Sequence, residues 1–512
     1  MNFRVPHKYH KFLLDLNIPF AKYDSIFIKK LPGQIMTTKN AVVKLLLILS
    51  FLPLTIQLHA QTFRSDIFKE RRSRLLKSIE DSSIAIFNSA KTATRNGDVD
   101  YKYRQNSNFY YLTGFEEPGS AFILLPTDNK KFVMFVRQSN ILMESWTGKR
   151  AGLNGAIKTY GADTAYGIGL FSKMLTKSLK GKKKIYLDTE DKDLVKLVDS
   201  LYKKANENSV KQNINVNDIV NEMRLIKDNF EIDLMRRACE ITSDALINAY
   251  KNAKPGQYEY EIQAALEYIY TKNGSNYPAF ISIVGSGVNS TILHYEENNK
   301  IVEDGDMIVM DVGAEYKNYA SDITRSIPAN GNFSDEQKLI YDIVLKALKE
   351  TTSFVKPGIG LNELQQYTSR VITDGLLELG LITDKEKNWQ TNIWMPHGTS
   401  HWVGLDVHDV GDSKYMDKKG RLLEPGMVFT IEPGIYVSKN IFNHLKDAYG
   451  FQVSADEIKS FTEKVKDNVA KFANIGIRIE DTILVTKDGC EVLSRNAPKE
   501  IDDIEKIMTE KK

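Results

Sequence analysis

Cysteine is the scarcest useful residue in this sequence: Cys239 and Cys490 are the only two in 512 positions. One disulfide between them stays open, but a disulfide framework is excluded. Neither cysteine has metal-ligating company, so a thiolate metal site is excluded as well. Charge of one sign is also lacking, with 69 Lys and Arg against 66 Asp and Glu. Residues 1–60 hold eight Lys/Arg and two Asp, which leaves 61 against 64 for the rest. No basic face for nucleic acid follows from such a balance. Long apolar runs are missing but for residues 45–58, which Pro53 interrupts and which are short for a bilayer span. What remains, 42% hydrophobic and 26% charged, is an ordinary globular chain of about two domains with room for sizeable cores.

The apolar run follows Lys39 and Lys44 and is itself followed by His59-Ala60-Gln61, the pattern of an export signal cleaved after Ala60. Leu58 is an unusual residue three positions before such a cut. Met36 stands where an export signal would begin, so residues 1–35 read as an over-long start. The expectation is a leader over 1–60 and a periplasmic or extracellular protein with no stable membrane partner after signal removal. An uncleaved N-terminal membrane anchor is the rival reading.

Residues 61–215 read as an α/β unit. Strand-like runs at Ser83 to Phe87, Ala121 to Leu125, Lys131 to Val136 and Lys184 to Leu187 alternate with helical stretches such as Ile67 to Ile79. Residues 216–512 open with long amphipathic helices. Apolar spacing predicts one from about Glu231, stopped by Lys254-Pro255-Gly256. Others are predicted over Glu261 to Tyr270, Asp335 to Glu350 and Leu361 to Leu379.

The chain has eight histidines, and three of them, His397, His401 and His408, fall in His-Gly-Thr-Ser-His-Trp-Val-Gly-Leu-Asp-Val-His-Asp-Val-Gly, ending at Gly411. Imidazole is the nitrogen ligand and proton carrier that works near pH 7, so this density marks a site. Four acids stand in apolar, strand-like surroundings: Asp311 after Met307-Ile-Val-Met, Asp322, Glu432 in Phe429-Thr-Ile-Glu, and Glu480 in Ile475-Gly-Ile-Arg-Ile-Glu. Unpaired buried carboxylates are costly. Either cations pair with all four, Arg325 and Arg478 being local candidates, or a metal holds them. One nitrogen with several oxygens suits a moderately hard ion such as manganese.

These residues resemble a known family. Asp311, Asp322, His401, Glu432 and Glu480, in that order, look like the five ligands of the pita-bread dinuclear metallopeptidases. The surrounding strings are closest to the X-prolyl aminopeptidases (aminopeptidase P). They are Ile283-Val-Gly-Ser-Gly-Val-Asn-Ser-Thr-Ile-Leu-His-Tyr295, the stretch from Asp311 to Arg325, the histidine segment, Leu423 to Gly434, and Gly476-Ile-Arg-Ile-Glu-Asp481. Tyr103 to Phe115 and Glu144 to Arg150 resemble the family's N-terminal domain, so the likeness runs from about Thr62 to the C-terminus.

The resemblance implies an α+β protein in which a C-terminal pita-bread catalytic domain follows a smaller α/β N-terminal domain. It implies two divalent ions per chain, manganese by family habit. Asp322 and Glu480 would bridge them, Asp311 would hold one, and His401 and Glu432 the other. Hydroxide shared between the ions would attack the peptide carbonyl. Glu432 would shuttle a proton, His408 and His294 would hydrogen-bond the developing oxyanion, and His397 and Arg478 would line the proline pocket, with Arg478 also orienting Glu480 or a nearby acid. The implied substrate is a peptide with proline in second position, and the implied assembly a homodimer or homotetramer. The prolidases, which take X-Pro dipeptides, are the alternative, although Ser400 before His401 looks more like the aminopeptidases. One segment departs from the pattern. Glu432 and Glu480 stand 48 residues apart, with extra material at about 437–474. Ser454 to Glu457 reads there as a capping box opening a surface helix with Ile458, Phe461, Val465, Val469 and Phe472 on one face, packed beside the cleft. His444 is expected to be exposed and not a ligand.

Overall fold

The computed structural model describes residues 65–206, 210–411 and 419–510. The expected leader lies outside them. From Ile67 onward the chain forms one compact unit.

A six-stranded sheet comes first: β1 (Ile84–Asn88), β2 (Ala121–Leu124), β3 (Phe132–Val136), β4 (Thr164–Gly167), β5 (Lys184–Leu187) and β6 (Gln212–Asn215). Its order is β4-β3-β2-β1-β5-β6. Only β2 runs antiparallel to its neighbours. The central strands are apolar and buried on both faces, as a mainly parallel sheet covered by helices requires. The edge strands β4 and β6 escaped the sequence reading. Gln-Asn-Ile-Asn at β6 is polar and is recruited by backbone pairing with β5.

Helices dominate the connection to the second half. Helix α1 (Asn217–Leu225) leads to α2 (Asn229–Asn252), which a reciprocal Asp228–Glu231 capping box starts and Lys254-Pro-Gly stops. Then come α3 (Glu259–Lys272), α4 (Asp335–Phe354), α5 (Leu361–Glu378) and the unforeseen short α6 (Asn388–Trp394). Met235, Ala238 and Leu246 of α2 join Tyr341, Val344 and Leu348 of α4 in one apolar core with the strands.

Those strands are β7 (Ile283–Ser286), β8 (Met307–Val312) and β9 (Ile323–Pro328), an antiparallel set in that order, then β10 (Val428–Ile431), β11 (Gly434–Val437), β12 (Ile475–Arg478) and β13 (Asp481–Val485). β10 pairs with β13 and β11 with β12. Hydroxyls stitch the sets together: Ser326 Oγ donates to the Arg478 carbonyl at 2.9 Å, and Thr482 Oγ1 to the Asp322 carbonyl at 2.7 Å. The result is a continuous curved wall, the α+β arrangement expected.

The departing segment supplies α7 (Ala455–Lys471) with four of its expected apolar residues buried and Phe472 buried just beyond. Two details differ from expectation. Ser454 caps the helix, but the Glu457 carboxylate turns to Lys387 at 2.6 Å, so the capping box is only half made. The helix packs on α5 and α6, through Phe461 against Trp389 and Asn468 against the Gly380 carbonyl, and not beside the cleft. His444 is exposed, as expected.

Candidate active site

A cavity of about 420 Å³ is lined by all nine expected site residues: Asp311, Asp322, His401, Glu432, Glu480, His294, His397, His408 and Arg478. A larger cavity, about 840 Å³, opens at the strand ends of the first sheet, but no histidine or glutamate lines it and its charges are scattered. The chemistry is concentrated in the smaller one.

Local structure explains how the acids converge. Asp311 sits near the end of β8, where its Cα partners are Ile283 and Thr324, and Asp322 immediately precedes β9. Glu480 links β12 to β13 and its N–H donates to the Thr324 carbonyl at 3.0 Å. Glu432 follows β10, and its N–H donates to the Thr399 carbonyl at 3.0 Å. The histidine segment runs along the free edge of β10: the Thr430 N–H donates to the His401 carbonyl at 2.9 Å.

His401 Nδ1 lies 3.1 Å from the Trp402 carbonyl. A carbonyl only accepts, so Nδ1 carries the proton and Nε2 keeps its lone pair. That lone pair faces Asp322 Oδ2 at 3.3 Å and Glu432 Oε1 at 3.6 Å. Ligand atoms of Asp322, His401 and Glu480 all lie within 4.8 Å of one another. Oδ1 of Asp311 and Oδ1 of Asp322 are buried without a hydrogen-bond partner. Burial, then the Glu480 and Asp311 charges, raises Asp322 well above the usual carboxylate range. Burial and Glu480 raise Glu432 likewise, and burial with Asp311 pushes Glu480 up to about 7. Around the His401 lone pair acceptors face acceptors, an arrangement that bound cations would relieve. The residues therefore fit divalent metal, and the oxygen-rich donor set fits a hard ion.

Arginine pairing accounts for one of the four acids only. Arg478 Nη2 donates to Asp311 Oδ2 at 2.5 Å. It reaches Glu480 indirectly: Arg478 Nε donates to Thr324 Oγ1 at 3.2 Å, and that hydroxyl donates to Glu480 Oε2 at 2.7 Å. Arg325 pairs with none of them; its partner is Asp481, at 2.7 Å. Nη1 of Arg478 donates to Tyr436 OH at 2.7 Å, and that hydroxyl donates to His397 Nε2 at 2.9 Å. Nδ1 of His397 donates to the Gly398 carbonyl at 2.8 Å. Burial first and the Arg478 charge second lower the His397 pKa to about 4, so the ring is a neutral acceptor in this chain. His408 is lowered too, by burial and by the His401 ring 4.2 Å away. His294 and His408 are exposed at the cavity mouth.

Tyr436 and Thr324 were not singled out by sequence. Thr324 lies in a motif string and Tyr436 two residues past one, but their role depends on the hydrogen bonds they relay. Phe280, Ile281, Leu293 and Val407 give the cavity an apolar side.

Comparison with known proteins agrees with this geometry. The model of metallopeptidase family M24 matches residues 233–487, and that of the aminopeptidase P N-terminal domain matches 68–186. The Xaa-Pro aminopeptidase of Haemophilus influenzae is 36% identical over 447 residues, 86% of this chain and 96% of that protein. The Xaa-Pro aminopeptidase of Escherichia coli is also 36% identical, over 86% of this chain and 97% of its own. The structure of Pseudomonas aeruginosa aminopeptidase PepP superposes with a TM-score of 0.78 at 38% identity, covering 87% of this chain and 98% of that one. The chain belongs to metallopeptidase family M24. Within it, the match through both halves is to the X-prolyl aminopeptidases.

Proposed function

We propose that Asp311, Asp322, His401, Glu432 and Glu480 would hold two divalent ions, manganese in the native protein. The chain is a metal-dependent aminopeptidase that releases the N-terminal residue from peptides with proline in second position. When bound, the ions acidify a water and polarise the peptide carbonyl. The observation that carries the metal reading is the His401 Nε2 lone pair directed at two carboxylates.

The remaining steps belong to the side chains. Glu432 passes a proton to the leaving proline nitrogen. His408 and His294, at the mouth, donate hydrogen bonds to the carbonyl oxygen as it gains charge. The acidic cluster receives the substrate's amino terminus, which makes the enzyme an exopeptidase. His397, neutral and held by the Tyr436 hydroxyl, forms one wall of the proline pocket with Arg478 behind it, and the apolar side selects the ring by shape, an effect of about 1–3 kcal/mol.

The same reading includes export of the chain from residue 61, a domain division at 215/216 and assembly as a homodimer or homotetramer. The helix Ile141–Thr147 supports assembly: Ile141 is 87% and Trp146 85% exposed, an apolar patch suited to cover by another copy.

The test is metal analysis combined with peptide cleavage on protein starting at Gln61. Chelation should abolish release of the first residue from an X-Pro-Y peptide, and manganese should restore it. An X-Pro dipeptide should be the poorer substrate. Asp322→Ala and Glu480→Ala should lose metal and activity together, whereas His408→Ala should keep metal and lose about 10²–10³ in kcat. Full activity in metal-free protein defeats the proposal.

A further inference from the structure

The loop that bears His408 is gripped by charges that lie outside the metal cavity. Asp409, the next residue, is buried with Arg224 at one carboxylate oxygen and Lys227 Nζ at the other, 3.0 Å away. Asp406, half-buried, accepts from Arg224 Nη2 at 2.7 Å and from Ser107 Oγ at 2.7 Å. Arg224 Nη1 donates to Asn108 Oδ1 at 2.7 Å. Arg104 donates to the Leu405 carbonyl and pairs with Glu315 at 2.5 Å. Arg104, Ser107 and Asn108 belong to the N-terminal half; Arg224 ends α1, and Lys227 stands between α1 and α2.

The backbone tightens the same loop. The Ala320 N–H donates to the Gly404 carbonyl, and the Asp409 N–H to the Trp402 carbonyl, both at 2.8 Å. A Cβ on Gly404 would stand 2.1 Å from Asp409 Oδ2 and 3.0 Å from Lys227 Cε, so this position has room only for glycine while the ion pairs are made. His408 is thus an exposed residue with the anchored Asp406 two positions before it and the anchored Asp409 directly after it.

We propose that the Arg224–Asp409–Lys227 triad, extended through Asp406 to Ser107, is the positioning device for His408. The N-terminal half and its connection thereby take part in catalysis without touching substrate. The inference rests on His408 acting on the reacting carbonyl. Misplacing a catalytic group by about 1 Å costs on the order of 100-fold in rate.

A double-mutant cycle on the manganese-loaded full chain tests this. Asp409→Asn should lower kcat by about 10-fold or more, with KM within about twofold and metal content unchanged. In a His408→Ala background the same change should cost less than about twofold, because its route to the reaction is gone. Asp406→Asn and Ser107→Ala, at the more accessible end of the clamp, should show the same pattern at about three- to tenfold, and they decide the matter if Asp409→Asn does not fold. Equal losses in both backgrounds, or a loss of metal from Asp409→Asn, overturn the positioning role while leaving His408 in place. Full activity in His408→Ala alone removes the His408 reading, and this inference with it.

Discussion

Replacing Arg325 with methionine tests the wall behind the metal cavity. The guanidinium is fully buried and pairs with an equally buried Asp481 at 2.7 Å. It also donates to the Thr324 carbonyl at 2.9 Å, to the Ala497 carbonyl at 3.0 Å, to the Pro498 carbonyl at 3.2 Å and to the Glu480 carbonyl. One side chain thereby ties β9 to the turn that carries Glu480. Burial would raise the Asp481 carboxyl, but Arg325 and Lys499 outweigh it and hold it below the usual range. Methionine keeps much of the apolar volume and removes the charge. Breaking a buried pair from one side costs about 3–5 kcal/mol, because the other charge stays behind. Lys499 and Ser494 still contact Asp481, which argues for the lower end, whereas the orphaned carbonyls argue for the upper. The expected loss is about 4 kcal/mol, a large share of the roughly 5–15 kcal/mol by which proteins are stable. Urea unfolding with manganese present, followed by fluorescence and by residual activity, would measure it. Adding Asp481→Leu removes the stranded charge and should recover half or more of the loss. A change under about 1 kcal/mol for Arg325→Met, or a double variant no better than the single, refutes the argument.

Two further outcomes follow from local features. His397 binds its proton at about pH 4 in the folded chain against 6.5 ordinarily, so the unfolded chain holds more protons between those values and stability must fall as pH drops from 6.5 to 4. The contribution approaches about 3 kcal/mol; comparing acid titrations of the parent and His397→Asn by circular dichroism checks it, the variant falling less steeply. Ser454→Ala should cost about 1 kcal/mol through its lost cap and leave kcat unchanged, since no residue of 438–474 lines the cavity. A drop in activity at equal folding would show that α7 touches the reaction after all.

How much of this was legible in the sequence depended on the range of the interaction. The long helices were readable because apolar spacing and Pro-Gly stops are local, and Asp228 and Ser334 cap where such residues should. The nine expected site residues, which line one cavity, could be picked out because each sits in a string with its own recognisable order. What escaped depends on partners far along the chain. Arg224 meets Asp409 across 185 positions and Arg104 meets Leu405 across 301, and no local pattern announces either pair. Arg325, a candidate partner for the four acids, pairs instead with Asp481, 156 positions away and next to Glu480 in sequence. Edge strand β6 was missed because pairing, not apolar alternation, makes it a strand.

The hairpin between Asp311 and Asp322 leaves no slack. Gly313 passes so close to the Ser321 carbonyl that a Cβ there would sit 1.9 Å from it. Between Glu432 and Glu480, by contrast, the chain leaves the hollow, builds α7 over α5 and α6, and returns. Length can therefore drift freely in one loop of this enzyme and hardly at all in the other, and 437–474 is the stretch where the fold accommodates a long excursion.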